Sequence, residues 1–243
     1  MTAVALPDFS RRADALEWMD DDGVDLETFR GCLRDLAKVN VATLAYRPTL
    51  AFLDHLRQSG RWPAGRPLEV LDVGSGYGDS LRRIDRWARR RGLAVKLTGV
   101  DRNHWAGQSA REASDPAQPI TWLTGDVFDY AGAPDVILSA LFTHHLDDDQ
   151  LVRFLAFIDQ RARLGWLVND LERSPLAWAG FSLLAAIMRW HPFVRHDGPV
   201  SIRRAFKPAD WRAYIARGGV SGAFVRRRFP FRLCVSKVRA DDV

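Results

Sequence analysis

The sequence predicts an α/β fold in which an N-terminal helical cap precedes a doubly wound, mostly parallel sheet of seven strands. Three observations predict this fold. Five short apolar runs alternate with helical patterns after residue 67, which is the order of a parallel sheet with helices on both faces. Two more strand-like runs flank Pro230 and suit an antiparallel pair. A Gly/Pro-rich stretch, 59–67, precedes the first strand and marks the boundary between cap and main domain.

Residues 1–59 are predicted to form the helical cap. Apolar side chains recur at helical spacing from Leu26 to Val39, and a second helix is predicted from Pro48 to Arg57. Residues 1–25 are acidic and polar, so we expect their start to be loosely ordered. Three polar residues of the cap are candidates to reach a ligand of the main domain: Asn40, Tyr46 and Arg47.

The main domain is predicted over 60–243. Its strands are predicted at Leu68–Val73, Ala94–Val100, Ile120–Leu123, Asp135–Ala140, Leu164–Val168, Ala223–Phe229 and Phe231–Val238. Its helices are predicted at Asp79–Arg91, His104–Ser114, Asp147–Arg163 and Lys207–Arg217. Aspartates open the third of these helices, where the helix dipole favours negative charge. The fourth has a proline in its first turn and two glycines after its end, as helix termini prefer.

Composition narrows the class of protein. A chain of 243 residues with 47% hydrophobic and 27% charged residues is long enough for one full domain. The formal charge of +5 raises the question of nucleic acid, but the arginines are scattered and acidic runs interrupt them, so we predict no nucleic-acid partner. The N-terminus lacks a signal-peptide pattern, and the apolar run 175–188 is shorter than the roughly 20 residues of a membrane span. We therefore predict a cytoplasmic protein without a span, with a homodimer left open.

The strongest motif is a glycine-rich turn between the first strand and its helix, in the run Glu69–Asp79. Glycines there allow close approach of a ligand to the backbone, and a helix N-terminus follows at once. The nicotinamide fingerprint would place a third glycine at Asp79, so the pattern differs from that of a dinucleotide-binding protein. The candidate cofactor-binding residues of this run are Asp72, Gly74, Ser75, Gly76 and Gly78.

Acidic residues follow the next two strands as well. Asp101, with Arg102 beside it, ends the second strand, where a carboxylate can accept hydrogen bonds from a ribose diol. Asp126 and Val127 follow the third strand. The three motifs together resemble those of class I S-adenosylmethionine-dependent methyltransferases, whose fold is Rossmann-like. That resemblance implies that Asp72 receives the cofactor's ammonium group and that Asp126 and Val127 lie beside its adenine.

The loop after the fourth strand carries two histidines and aromatic residues, and here the sequence resembles the bacterial small-molecule methyltransferases of the ubiquinone- and menaquinone-biosynthesis type. By the logic of the fold this loop faces the transferred methyl group. His144 or His145 is a candidate general base, since a histidine near its ordinary pKa accepts a proton at neutral pH. A structural role for either histidine, as helix cap or packing residue, stays open. Leu141 is assigned to the cofactor and Phe142 to the acceptor.

An insertion over about 171–206 is predicted to form a substrate lid. Its apolar first half contains Trp178 and Phe181, which suits a hydrophobic or aromatic acceptor, although a core helix is an equal alternative. Its polar second half is expected to be a loop, in which Arg195 and His196 either orient acceptor oxygens or form a solvated connection. No metal is predicted, because Cys32 and Cys234 fit no metal spacing and no trio of clustered acids emerges.

Together these features predict an enzyme with S-adenosylmethionine as cofactor. It would transfer a methyl group to a small aromatic or enolic metabolite, with oxygen favoured over carbon as the acceptor atom. Two alternatives stay open at this point. One is a nicotinamide-dependent oxidoreductase, which would share the start of the fold and Asp101, and the other is a non-catalytic subunit that keeps the fold without the chemistry.

Overall fold

The computed structural model of the protein describes residues 7–21 and 23–239. The first six residues of the stretch 1–25, whose start is predicted to be loosely ordered, lie outside the described residues, as do the last four residues of the predicted main domain. One sheet contains seven strands in the order β3-β2-β1-β4-β5-β7-β6. Their bounds are β1 Leu68–Val73, β2 Val95–Asp101, β3 Ile120–Thr124, β4 Val136–Ala140, β5 Gly165–Leu171, β6 Phe224–Arg228 and β7 Arg232–Val238.

Five strands are parallel, and β7 pairs antiparallel with both β5 and β6, which confirms the predicted fold class. The strand order reverses beside β1, and the carboxyl ends of β1 and β4 lie next to each other there. Open α/β sheets bind ligands in the crevice at this edge. One strand differs from the prediction in a way that matters for the site: β5 continues to Leu171, so Asn169 and Asp170 belong to the strand.

Eight α-helices lie in the described residues: α1 Leu26–Ala42, α2 Arg47–Gln58, α3 Asp79–Arg89, α4 His104–Glu112, α5 Asp148–Arg161, α6 Pro175–Ile187, α7 Pro192–Arg204 and α8 Pro208–Arg217. The apolar core has two layers. Helices α5 and α8 pack on one face of the sheet, and α2 and α3 pack on the other. Alternate residues of each strand face the two layers, as the pleat requires. Helix α2 thus shares the sheet's own core, while α1 contributes to two smaller clusters nearer the ligand edge.

The predicted insertion contains two helices, α6 and α7, that pack against each other. The expectation of a polar loop in its second half was wrong, because residues 192–204 are helical. Pro199 hid that helix in the sequence, since a proline inside a helix removes a backbone donor and is a strong signal for a break. In the described part of the chain no helix is both long and apolar enough to cross a membrane.

Candidate functional site

The glycine turn leaves the end of β1 with three glycines in left-handed backbone conformations, at φ angles of 71° for Gly74, 48° for Gly76 and 70° for Gly78. A Cβ atom at Gly74 would lie 2.6 Å from the ring of Phe142, and one at Gly78 would overlap Trp122. These two positions require glycine because the protein's own aromatic rings pack on them. Gly76 is different, because the nearest side-chain atom, of Leu33, is 3.9 Å from its Cβ position. Gly76 is therefore the glycine whose backbone stays open to a ligand.

A cavity of about 850 Å³ opens over this turn and extends across the carboxyl ends of the strands towards α6 and α7. It brings together most of the predicted ligand residues: Asp72, Gly74, Ser75, Gly76, Asp101, Arg102, Leu141, Phe142, His144, His145 and Phe181, with Asn40 and Tyr46 of the cap. Seven predicted residues are not part of its lining: Gly78, Asp126, Val127, Trp178, Arg195, His196 and Arg47.

Acidic side chains concentrate at the glycine-turn end of the cavity. Asp72 is 3% exposed, and burial, together with the negative charges of Asp79 and Asp101, raises its pKa from 3.8 to about 8. Asp79 accepts hydrogen bonds from the Tyr46 hydroxyl and from the Asn40 amide, the latter at 3.1 Å. Three carboxyl groups at one end of the cavity favour a cationic ligand.

Asp101 holds the glycine turn in place. Its Oδ2 accepts the backbone N–H of Gly76 at 2.8 Å, and its Oδ1 accepts that of Asn103 at 2.9 Å. Burial raises the pKa of Asp101, although these two hydrogen bonds oppose the rise. Asp101 thus joins the ends of β1 and β2, and its contact with a ribose stays a prediction.

Asp126 caps the 3₁₀ turn Val127–Asp129 by accepting the backbone N–H of Phe128 at 3.0 Å, and Val127 is buried in the core. Neither residue lines the cavity, so their predicted place beside an adenine stays a prediction without support from the geometry.

His144 is a buried residue with a fixed orientation. Its Nδ1 lies 2.7 Å from Oδ1 of Asp170, whose Oδ2 accepts the backbone N–H of His144 at 3.0 Å and the hydroxyl of Thr143 at 2.5 Å. Burial alone would raise the pKa of Asp170, but the neighbouring His144 and these hydrogen bonds hold it at about 2. Asp170 is therefore a carboxylate that accepts a hydrogen bond from Nδ1–H of His144, which leaves Nε2 of His144 towards the cavity.

The sequence analysis missed Glu17, a further acidic residue, which lies at the same end of the cavity as His144. Glu17 is 6% exposed, and burial raises its pKa to about 7. Its Oε1 lies 3.6 Å from Nε2 of His144, and its Oε2 lies 3.9 Å from Nε2 of His145. On the outer side, Nδ1 of His145 lies 2.9 Å from Asp20, and the Arg204 guanidinium lies 3.5 Å from the same carboxylate. We call Glu17, His144 and His145 the acceptor-end cluster.

The segment 7–21 brings Glu17 to the cavity by crossing α7 and the histidine loop. Arg12 donates to the carbonyl of Leu146 at 2.8 Å and pairs with Asp148 at 2.9 Å. The Asp197 carboxylate accepts the backbone N–H of Trp18 at 2.8 Å and that of Met19 at 3.1 Å. The segment has no periodic pattern, so nothing in the sequence indicated that it closes the site.

Helices α6 and α7 contribute apolar side chains to the cavity, which Phe181, Leu184 and Ile202 line. Of the predicted acceptor residues on these helices, only Phe181 reaches it. Trp178 packs edge-on against Phe9 instead, at a centroid distance of 6.3 Å.

The predicted roles of Arg195 and His196 are corrected by their position on a helix rather than a loop. Arg195 is exposed to solvent. His196 stacks on Trp18 at 3.8 Å and bonds its neighbour Asp197 at 2.7 Å, so it stabilises the crossing segment.

The floor of the cavity contains another residue that the sequence analysis missed. Arg232, at the start of β7, is 2% exposed, pairs in register with Leu171 and donates to the Thr43 hydroxyl at 3.0 Å. Burial lowers its pKa to about 10. It supplies a positive charge close to Asp170 at the acceptor end.

The family to which this arrangement belongs is identified by comparison with known proteins. Residues 70–165, which run from β1 to the start of β5, match the sequence model described as a methyltransferase domain. The chain contains a methyltransferase domain. This match and the fold confirm the prediction of a class I methyltransferase, an enzyme family with S-adenosylmethionine as its methyl donor. They do not support the ubiquinone- and menaquinone-type subgroup in particular, which stays a prediction. No curated protein matches the chain in sequence.

Solved structures resemble the whole arrangement around the methyltransferase domain. Magnesium protoporphyrin IX methyltransferase from Synechocystis PCC 6803, with bound S-adenosylmethionine, has 14% identity and a TM-score of 0.55, covering 92% of this chain and 88% of its own. The plantazolicin methyltransferase BpumL, in complex with S-adenosylhomocysteine, has 14% identity and a TM-score of 0.60, covering 88% and 96%. The CurJ carbon methyltransferase has 14% identity and a TM-score of 0.62, covering 90% and 62%. At these identities the likenesses show a common fold.

Proposed function

We propose that this protein transfers a methyl group from S-adenosylmethionine to an oxygen atom of a small aromatic or enolic metabolite. The observation that carries the proposal is that one cavity joins the glycine turn, with its acidic side chains, to the acceptor-end cluster. The first end suits a cationic cofactor, and the second contains groups that can remove a proton from a hydroxyl. Both lie at the edge of the sheet where proteins of this fold bind ligands.

The residues at the glycine-turn end fit S-adenosylmethionine. The open backbone at Gly76 admits a ligand, and Asp72 makes no side-chain hydrogen bond with another described residue, so its carboxylate is free to receive an ammonium group. Asp101, at the end of β2, would accept hydrogen bonds from the ribose. The cofactor supplies a methyl group on a positively charged sulfur, and the S–C bond breaks as the O–C bond forms, with the electron pair left on sulfur.

The chain's own contribution at the other end is to position the acceptor and to produce its oxyanion. Phe181 and Leu184 give an apolar wall for an aromatic ring, and Arg232 gives a positive charge that favours an oxygen-rich edge. The acceptor loses its hydroxyl proton at the acceptor-end cluster, and the aligned donor and acceptor then react, since alignment supplies much of the rate of such transfers. The preference for oxygen over carbon rests on this cluster.

The proposed function is tested with a panel of phenols and enols, assayed for S-adenosylhomocysteine formation and for the mass of the methylated product. We expect turnover with an acceptor that gains one methyl on oxygen. Saturable binding of S-adenosylmethionine without turnover across the panel would favour the non-catalytic alternative. Binding of NADH in place of S-adenosylmethionine would favour the oxidoreductase. The homodimer, the cytoplasmic location and the absence of a nucleic-acid partner stay predictions.

A further inference from the structure

The acceptor-end cluster has an arrangement that hydrogen bonds do not explain. The 3.6 Å between Oε1 of Glu17 and Nε2 of His144 is too long for a hydrogen bond. Oε1 is buried and has no hydrogen-bond partner among the described residues. One ligand atom from each of Glu17, His144 and His145 lies within 4.8 Å of the other two. A buried carboxylate oxygen is costly unless a positive charge or a donor faces it.

The outer hydrogen bonds fix which ring nitrogens can bind. Asp170 accepts the Thr143 hydroxyl and the backbone N–H groups of His144 and Leu171, so it is an acceptor and Nδ1 of His144 must donate to it. Nδ1 of His145 faces Asp20 in the same way. An imidazole whose Nδ1 donates to a carboxylate can bind a ligand through Nε2, which in both histidines lies towards Glu17. A carboxylate behind each imidazole is the usual arrangement around histidines that ligate a metal.

We propose that Glu17, His144 and His145 bind one divalent first-row transition-metal ion at the acceptor end of the cavity. Two imidazoles and one carboxylate, with an open position left over, are the ligand set of catalytic zinc sites and of mononuclear iron sites. Ligand distances of about 2.0–2.1 Å put tetrahedral ligand atoms roughly 3.4 Å apart, close to the 3.6 and 3.9 Å observed from Glu17.

The local charge also suits a cation. The carboxylates of Glu17, Asp20 and Asp170 outnumber the two guanidinium groups nearby, that of Arg204, which lies 3.8 Å from Glu17, and that of Arg232, close to Asp170. The sequence analysis did not find this site, because Glu17 lies far from the histidines along the chain, in a segment without a motif.

This inference rests on the proposed function and says how the acceptor is activated. All three ligands line the cavity, so the open position faces the acceptor. An ion there would bind the acceptor's hydroxyl and lower its pKa, as bound zinc lowers that of water to about 7, and the proton would leave to water in the cavity. The acceptor reacts as its oxyanion without a histidine base. The metal-free alternative, with His144 or His145 as the base, gives a different result in the following experiment.

The test measures metal binding directly, apart from turnover. The full chain is freed of metal with a chelator, and Co²⁺ and Zn²⁺ are titrated by absorption spectroscopy and calorimetry. We expect one ion per chain and a Co²⁺ spectrum of a four- or five-coordinate site. Glu17→Gln and His145→Ala should each weaken Zn²⁺ affinity at least 100-fold. The matched controls Glu27→Gln and His55→Ala, on exposed helix surfaces, should leave it unchanged.

Two results would overturn the metal site. One is the absence of stoichiometric Co²⁺ or Zn²⁺ binding by the wild-type chain, and the other is wild-type affinity in both cluster variants. If S-adenosylmethionine still binds in either case, the proposed function stands, and the result favours His144 or His145 as a general base without a metal. If S-adenosylmethionine does not bind even to the wild-type chain, the proposed function fails, whatever the metal result.

Discussion

Asp72→Asn is expected to change how the stability of the empty protein depends on pH. The pKa of Asp72 is about 8 in the folded protein and 3.8 as the ordinary value, because the side chain is buried beside Asp79 and Asp101. Between these values the folded protein keeps a proton that the unfolded chain has lost. Stability is therefore lost as pH rises through this window, at about 1.4 kcal/mol per pH unit.

Half of the Asp72 side chains are ionised at pH 8, so the folded protein loses about 2 kcal/mol of stability between pH 6 and pH 8. The asparagine variant lacks this loss. The free energy of unfolding of both proteins is measured by urea titration without cofactor at pH 6, 7 and 8. We expect the stability of the variant relative to the wild type to grow by about 2 kcal/mol over this range. Parallel pH curves for the two proteins would refute the reasoning.

The same group links cofactor binding to protons. If the ammonium of S-adenosylmethionine lies against Asp72, binding ionises the carboxyl and releases close to one proton at pH 7. Calorimetry in two buffers of different ionisation enthalpy measures this release, which should disappear in Asp72→Asn. A wild-type enthalpy independent of buffer would contradict the assignment of Asp72 to the ammonium group.

Three further outcomes are expected. Asp101→Ala should weaken S-adenosylmethionine binding at least tenfold in calorimetry, because it removes both the ribose acceptor and the bond to Gly76; unchanged affinity would contradict the ribose assignment. Asp170→Asn should lower turnover 10- to 100-fold with cofactor affinity unchanged, because His144 loses the carboxylate that orients it. Full turnover would contradict a role of the acceptor-end cluster in the reaction. Gly74→Ala should lower the free energy of unfolding by about 1–3 kcal/mol in urea titrations, because a Cβ would lie 2.6 Å from Phe142; wild-type stability would show that the ring moves freely.

The parts of the fold that follow from periodic patterns were predictable. The alternation of strands and helices predicted the doubly wound sheet and its antiparallel tail, since each strand and helix shows its apolar face in the sequence. The end of β5 was not predictable in the same way. Asn169 and Asp170 are polar and look like the start of a loop, yet both are fully buried because their side chains find partners inside the protein.

The glycine-turn end of the cavity was also predictable, because Asp72, Gly76 and Asp101 belong to local motifs at strand ends. The acceptor end was not, since it is assembled by tertiary contacts. Glu17 reaches the histidines because residues distant in the sequence hold the crossing segment, among them Asp197, on a helix hidden by Pro199. A local sequence pattern does not indicate such a contact between distant parts of a chain.

The most direct test of the central claim is a calorimetric titration of the purified protein with S-adenosylmethionine, S-adenosylhomocysteine and NADH. The account predicts one binding site per chain for S-adenosylmethionine, competition by S-adenosylhomocysteine at that same site, and no binding of NADH. Binding of NADH without binding of S-adenosylmethionine would contradict it.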